Sequence, residues 1–209
     1  YLHVLRRGTL KVTHPPRQGV PARLQLNEPS LLFYPRAVTH HFHNPPVEGA
    51  DFTCAQLQFD GGRAHPLVRT LPGLIVLPLA RVDGLAAALD LLFAETDRVR
   101  CGHRLLADRL FEVVLIQILR WLLDHPAEAG VPPGLVTGLS DPRLARALVA
   151  LHEQPGEPWR VEQLAALAGL SRTRFIERFR ELVGQTPAAY LADWRIGLAP
   201  VSYTHLRAH

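Results

Sequence analysis

The rhythm of apolar and polar positions changes twice along the chain. Residues 1–80 hold short apolar-rich runs, several of which alternate apolar and polar side chains: Tyr1–Leu5, Leu10–Thr13, Ala22–Leu26, Ser30–Tyr34 and Phe52–Phe59. Turn-forming residues separate them at Arg7-Gly8, Pro15-Pro16, Asn27-Glu28-Pro29, Asn44-Pro45-Pro46 and Asp60-Gly61-Gly62. Strands of roughly ten-residue spacing between such turns predict an antiparallel sandwich or barrel. The alternation from Phe52 onward directs Phe52, Cys54, Leu57 and Phe59 toward a core, with one phase slip at Ala55-Gln56.

From residue 81 the period becomes helical. Val82, Leu85, Ala86, Leu89 and Phe93 recur at helix spacing, as do Leu106, Leu110, Val113, Val114, Gln117 and Trp121, and a turn near 100–102 joins the two into a helical hairpin over 81–125. Leu115, Ile118, Leu119 and Leu122 fall off the main apolar face. That surplus calls for a second partner, either the barrel or another subunit, so a homodimer stays open. Residues 126–140, rich in Pro and Gly, predict a flexible linker. Beyond it Asp141-Pro142 offers an N-cap with proline at the first helical position, and Leu144, Leu148 and Leu151 mark a helix face. Val161, Leu164, Leu167 and Ala168 form a short amphipathic helix ending at Gly169. Ser171 can cap a third helix, which buries Phe175, Ile176, Phe179, Leu182 and Val183 and stops at Gly184. Thr186-Pro187 starts a fourth, with Tyr190, Leu191 and Trp194 inward.

Charge alters this picture by its distribution more than by its sum. The net charge is only +4, but residues 141–195 carry Arg143, Arg146, Arg160, Arg172, Arg174, Arg178, Arg180 and Arg195 and no lysine. A planar guanidinium binds phosphate and base edges bidentately. The two cysteines, Cys54 and Cys101, share no metal-ligand or redox spacing, which predicts reduced structural thiols. No signal peptide is visible, and the longest apolar stretch, 105–123, is interrupted by Asp108, Arg109, Glu112, Gln117 and Arg120. That pattern argues against a bilayer span and predicts a cytoplasmic protein.

A short helix, a glycine turn and a capped helix with phenylalanines four apart is a helix-turn-helix pattern. From Trp159 to Ile196 the sequence resembles the first helix-turn-helix of the AraC/XylS family, through Trp159, Val161, Leu164-Ala165, Ala168-Gly169-Leu170-Ser171, Phe175, Phe179, Gly184, Pro187, Tyr190-Leu191 and Trp194-Arg195. Arg160 departs from the Ser or Thr that usually caps the first helix of the motif, at a cost of about 1 kcal/mol. The resemblance implies a recognition helix over 171–183. Thr173, Ile176 and Glu177 would face bases, and Arg172, Arg174 and Arg178 would hold phosphates. Glu177 could accept from a cytosine amino group or pair with Arg174 or Arg178.

The first 80 residues resemble the cupin-like effector domain of one branch of that family. The landmarks are Tyr1-Leu2-His3-Val4 with Gly8, then Leu26 to His40, with Glu28-Pro29 and Ala37 departing from the usual pattern. Pro35 through Asn44 is similar to the second half of a metal-binding cupin motif, but the first half fails because Leu5 stands where a second histidine belongs. Two imidazoles, His3 and His40, fall short of a metal's three or four ligands. The expectation is therefore no metal and no cofactor, with His3 and His40 beside a pocket for a small effector.

The fold expected is α+β: a cupin-like antiparallel β-barrel (1–80), a helical hairpin (81–125), a linker (126–140) and an all-α helix-turn-helix domain (141–199). The chain begins inside a strand without methionine, and Pro200 is expected to break the last helix and open a non-native tail (200–209), so truncation at both ends is the expectation. The predicted function is sequence-specific DNA binding in a transcriptional regulator that answers to a small molecule, not an enzyme. The alternatives are a metal-dependent cupin enzyme, and a ligand-binding or dimerisation module without DNA affinity.

Overall fold

The computed structural model describes residues 1–16, 19–43, 49–59, 62 and 65–204. The turn expected at 44–46, most of that at 60–62 and the final residues 205–209 lie outside the described residues. The chain divides into two compact units: Tyr1–Leu57 with Pro72–His125, and Gln58–Leu71 with Pro126–His209. Among the described residues no helix is long and apolar enough to cross a membrane.

The first unit holds two antiparallel sheets. One has the order β6-β1-β4-β7, the other β3-β2-β5, from strands β1 (Leu2–Gly8), β2 (Leu10–Thr13), β3 (Arg23–Leu26), β4 (Ser30–Phe33), β5 (His41–His43), β6 (Ala50–Ala55) and β7 (Ile75–Pro78). Register places His3 of β1 between Leu32 of β4 and Cys54 of β6. That face of the larger sheet closes over Leu5, Leu10, Val12, Leu26, Leu32 and Tyr34. Leu2, Val4, Leu31 and Phe33 point the other way and are also fully buried. Apolar residues on both faces of β1 and β4 thus satisfy a sheet covered on both sides. A helical hairpin follows, α2 (Leu85–Asp97) and α3 (His103–Asp124). Arg6 ties β1 to α2, lying 4.5 Å over the Phe93 ring and 3.1 Å from the Asp97 carboxylate.

Three expectations for this unit change. The strand predicted through Phe59 ends at Ala55, just after the phase slip in its alternation. Cys54 is exposed rather than in the core, because β6 is an edge strand with a neighbour on one side only. Cys101, in the turn between α2 and α3, is exposed too, so neither thiol fills a core.

The second unit is helical: α4 (Leu135–Ser140), α5 (Pro142–Glu153), α6 (Val161–Ala168), α7 (Arg172–Val183) and α8 (Pro187–Thr204), joined by the short α1 (Pro66–Thr70). Its core gathers Leu135, Leu144, Leu148, Leu151, Leu164, Ala168, Phe175, Phe179, Val183, Tyr190 and Leu191. The 126–140 segment is not simply a flexible linker: Leu135, Val136 and Gly138 are buried as α4, which supplies apolar surface that the Pro/Gly content conceals. Pro200 does not stop α8, which continues to Thr204. A proline removes its own N–H bond and crowds one carbonyl, while the flanking turns keep theirs.

Gly138 fits because it has no side chain. A β-carbon there would sit 2.8 Å from both Leu148 Cδ1 and Val183 Cγ2. Gly138→Val is expected to destabilise the helical unit by about 1–3 kcal/mol through overpacking, read as a lowered midpoint in thermal unfolding. An unchanged midpoint would show that α4 is not packed as described.

Candidate nucleic-acid interface

α6 and α7 meet at Gly169, whose left-handed φ of 64° lets its N–H and that of Leu170 close on the carbonyls of Ala166 and Ala165. Ser171 then caps α7, its hydroxyl accepting from Arg174 N–H at 3.4 Å. Arg160 offers α6 no side-chain cap, and Gln163 compensates in part by accepting from Arg160 N–H at 2.8 Å. Inside, Phe175 and Phe179 are fully buried with ring centroids 5.6 Å apart, and Phe179 meets Tyr190 edge-on at 5.7 Å. Two buried aromatics at helical spacing fix the rotation of α7, so the side chains between them must face outward.

The outward residues are Arg172, Thr173, Arg174 and Glu177, all exposed, with Ile176 and Arg178 half-buried. Arg172 Nε donates to Glu162 of α6 at 2.9 Å. Arg174 lies 3.8 Å from Glu177, a loose contact between exposed groups that solvent screens. Arg178 differs in donating to Asp141 at 3.0 Å and to Glu181 at 2.9 Å. Burial alone would raise the Asp141 carboxyl, but the N–H groups of Leu144 and Arg143 and the Arg178 guanidinium outweigh it and hold it below the usual carboxylate range. The six residues named from sequence thus share one helix, but Arg178 is engaged in binding α7 to α5.

A cleft of about 430 Å³ opens on this face, lined by Arg143, Leu170, Arg174, Glu177, Arg178 and Glu181 together with Asp141 and Pro142. Arg143 was not singled out as a site residue. The Asp141-Pro142 cap was the available signal, since it fixes residue 143 in the first turn of α5, where its backbone N–H donates to Asp141 at 2.9 Å.

In the first unit His3 and His40 do come together, with ring centroids 4.8 Å apart. His40 stacks on Tyr34 at 4.7 Å, and Phe42 lies 5.0 Å from both imidazoles. His40 Nδ1 donates to the Val38 carbonyl at 2.8 Å, and His14 Nδ1 to that of Pro21 at 2.6 Å. A carbonyl can only accept, so both rings carry the proton on Nδ1, and His14 Nε2 accepts from the Tyr34 hydroxyl at 2.8 Å. His3 is 4% exposed; its Nδ1 lies 2.9 Å from Cys54 Sγ, and its buried Nε2 has no hydrogen-bond partner among the described residues. Burial first, then the neighbouring His40 and the amino terminus, pushes His3 down to about 4, so the ring is neutral. Among the described residues no group of three or more His, Cys, Asp or Glu side chains is placed to hold a metal ion.

Comparison with known proteins gives two family matches: residues 1–124 match the family described as Cupin, and residues 151–192 match bacterial regulatory helix-turn-helix proteins of the AraC family. The HTH-type transcriptional regulator AlkR of Acinetobacter baylyi is 36% identical over 138 residues, 64% of this chain and 44% of that protein. A putative AraC-like transcription regulator of Streptomyces antibioticus is 35% identical over 134 residues, covering 63% of this chain and 44% of its own length. The RCS-specific HTH-type transcriptional activator RclR of Escherichia coli is 24% identical over 201 residues, 94% of this chain and 68% of that protein. Under half the length of the first two is spanned.

The helical unit also carries a half-buried titratable group. His152 stacks on Trp194 at 3.8 Å, lies 2.7 Å from the Tyr190 hydroxyl, and is pushed down to about 4 by burial. An unfolded imidazole takes its proton near pH ~6.5, before the folded one does. The stability of this unit is therefore expected to fall as pH drops from about 6.5 to about 4, by on the order of 1–3 kcal/mol allowing for partial exposure. His152→Phe, which keeps the stack, should flatten that slope in denaturant unfolding followed by tryptophan fluorescence; an identical slope would remove His152 as the cause.

Proposed function

Since the chain belongs to the cupin family over residues 1–124 and carries an AraC-family regulatory helix-turn-helix over 151–192, we propose that it is the sensing and DNA-reading part of a transcriptional regulator controlled by a small molecule. The observation that carries this reading is the exposed first half of α7, where Arg172, Thr173, Arg174 and Glu177 stand on a helix whose rotation two buried phenylalanines fix. A capped helix N-terminus presents N–H groups and a positive dipole end to phosphate. Thr173, Ile176 and Glu177 read base edges in the major groove, and Arg172, Arg174 and Arg143 neutralise flanking phosphates.

The effector sits against His3 and His40. The unpartnered Nε2 of His3 supports this, because an unmade buried hydrogen bond costs about 1–3 kcal/mol that a polar group on the effector would recover. Phe42 and Tyr34 supply flat apolar walls. A homodimer forms through the helical hairpin, where Leu91, Leu105, Leu106, Val113 and Ile116 are exposed. The protein acts in the cytoplasm, and no catalytic step or cofactor enters the proposal.

The test is selection of duplex DNA from a random pool by the full chain at about 50 mM salt, followed by affinity measurement at rising salt. Binding with a Kd on the order of micromolar is expected, with a salt slope that falls by about 1 in Arg174→Ala and with weaker affinity for every sequence. Thr173→Ala and Glu177→Ala should instead change the selected bases at one or two positions. Absence of binding to any duplex at low salt would overturn the proposal.

A further inference from the structure

Between β6 and β7 the chain leaves the first unit at Leu57 and returns to it at Pro72. These two strands are the opposite edges of the sheet that carries His3. The excursion between them therefore hangs from both edges of the sheet beside the proposed effector site.

Its helix, α1, belongs to the helical unit. Leu67 packs against that unit's core, and Val68 and Leu71 are 3% and 2% exposed. The Thr70 hydroxyl donates to the Pro66 carbonyl at 3.0 Å, leaving its methyl facing Gly134, where a β-carbon would come within 3.2 Å of it. The backbone of Gly134 also has hold of α7: its N–H donates to the Leu182 carbonyl at 2.9 Å. Thr137, one turn later in α4, donates to the same carbonyl at 2.6 Å. A residue with no side chain thus touches α1 and grips the last turn of the DNA-reading helix. The seam between α1 and α8 is only partly filled, since a cavity of about 160 Å³ remains, lined by Arg69, Thr70, Tyr190 and Trp194 among others. A five-residue helix held beside a void is a contact of low local stability, the kind from which moving elements are drawn.

We propose that α1 is a strap coupling the effector-binding sheet to the recognition helix. Docked, it presses α4 onto the C-terminal turn of α7; drawn away by a shift in β6 or β7, it lets that turn loosen. The consequence for DNA rests on the function proposed above, whereas docking itself can be measured without DNA. Contiguity becomes coupling only when both ends bias one element, so both ends must be read.

In the full chain with Cys54 and Cys101 replaced by Ser, Thr70→Cys with Gly134→Cys would bring two β-carbons to 3.3 Å before relaxation, close to disulfide spacing. Hydrogen exchange is followed by mass spectrometry in the reduced and oxidised forms and in Leu67→Ala. Leu67→Ala should speed exchange roughly tenfold in 65–71, 134–140 and 182–184 together, and oxidation of the staple should slow the same three segments. Change at 65–71 without change at 182–184, or without change in β6 (50–55) or β7 (75–78), overturns the strap. On the selected duplex, oxidation should raise affinity about threefold or more over the reduced form; equal affinities also overturn it. If no form binds DNA, the DNA-reading function fails, and the exchange result alone decides the strap. Should Leu67→Ala not fold, the staple carries the comparison, because its two forms share one sequence.

Discussion

The Asp141 carboxylate stands between two helices and serves both. Oδ1 accepts from the N–H groups of Arg143 and Leu144, starting α5, while Oδ2 accepts from Arg178 Nε on α7. Its side chain is only 13% exposed, so this charge pair is screened less than the surface pairs at Arg172 or Arg174. Two things follow. The helix that carries Arg172, Thr173, Arg174 and Glu177 is held in azimuth by a charge pair as well as by Phe175 and Phe179. Arg143, carried on the first turn that Asp141 caps, is thereby placed on the same cleft as Arg174. A single acidic side chain positions the arginines around it.

Local signals were legible in the sequence wherever one residue decides the outcome alone. Gly169 in the left-handed region, Ser171 and Asp141 as caps, and the four residues of β2 fall where their chemistry places them. What escaped depends on partners distant in sequence. β7 reads Ile-Val-Leu-Pro, an apolar run too short to show a period, and is a strand because β4 pairs with it. α4 is hidden among prolines and glycines, yet Gly138 is needed for its closeness to Leu148 and Val183. α1 lies inside a stretch of β pattern and is helical where His65 accepts from Leu67 N–H and Leu67 meets a core built some seventy residues later. At the candidate interface the residues could be named but their engagements could not: the sequence puts Arg178 beside Arg174, and only the fold brings Asp141 to one of them.

The interior of the first unit explains why its histidines need no metal to be ordered. His14 and His40 each give Nδ1–H to a carbonyl of their own loop, which fixes tautomer and ring plane, and Tyr34 bridges them by stacking on one and bonding to the other. Burial raises the Tyr34 phenol above its usual range, so it stays a donor. The order of these rings comes from directional hydrogen bonds and stacking among the residues themselves.

The positive charge of the helical unit is carried on guanidinium groups alone, since residues 141–195 hold eight arginines and no lysine. Acylation removes positive charge only at an amine, and residues 141–195 have no lysine amine to modify. Nor does any guanidinium lose its proton at the pH of a cell. Enzymes that silence basic surfaces by capping lysines have no target here, and the surface holds its charge whatever the metabolic supply of acyl donors.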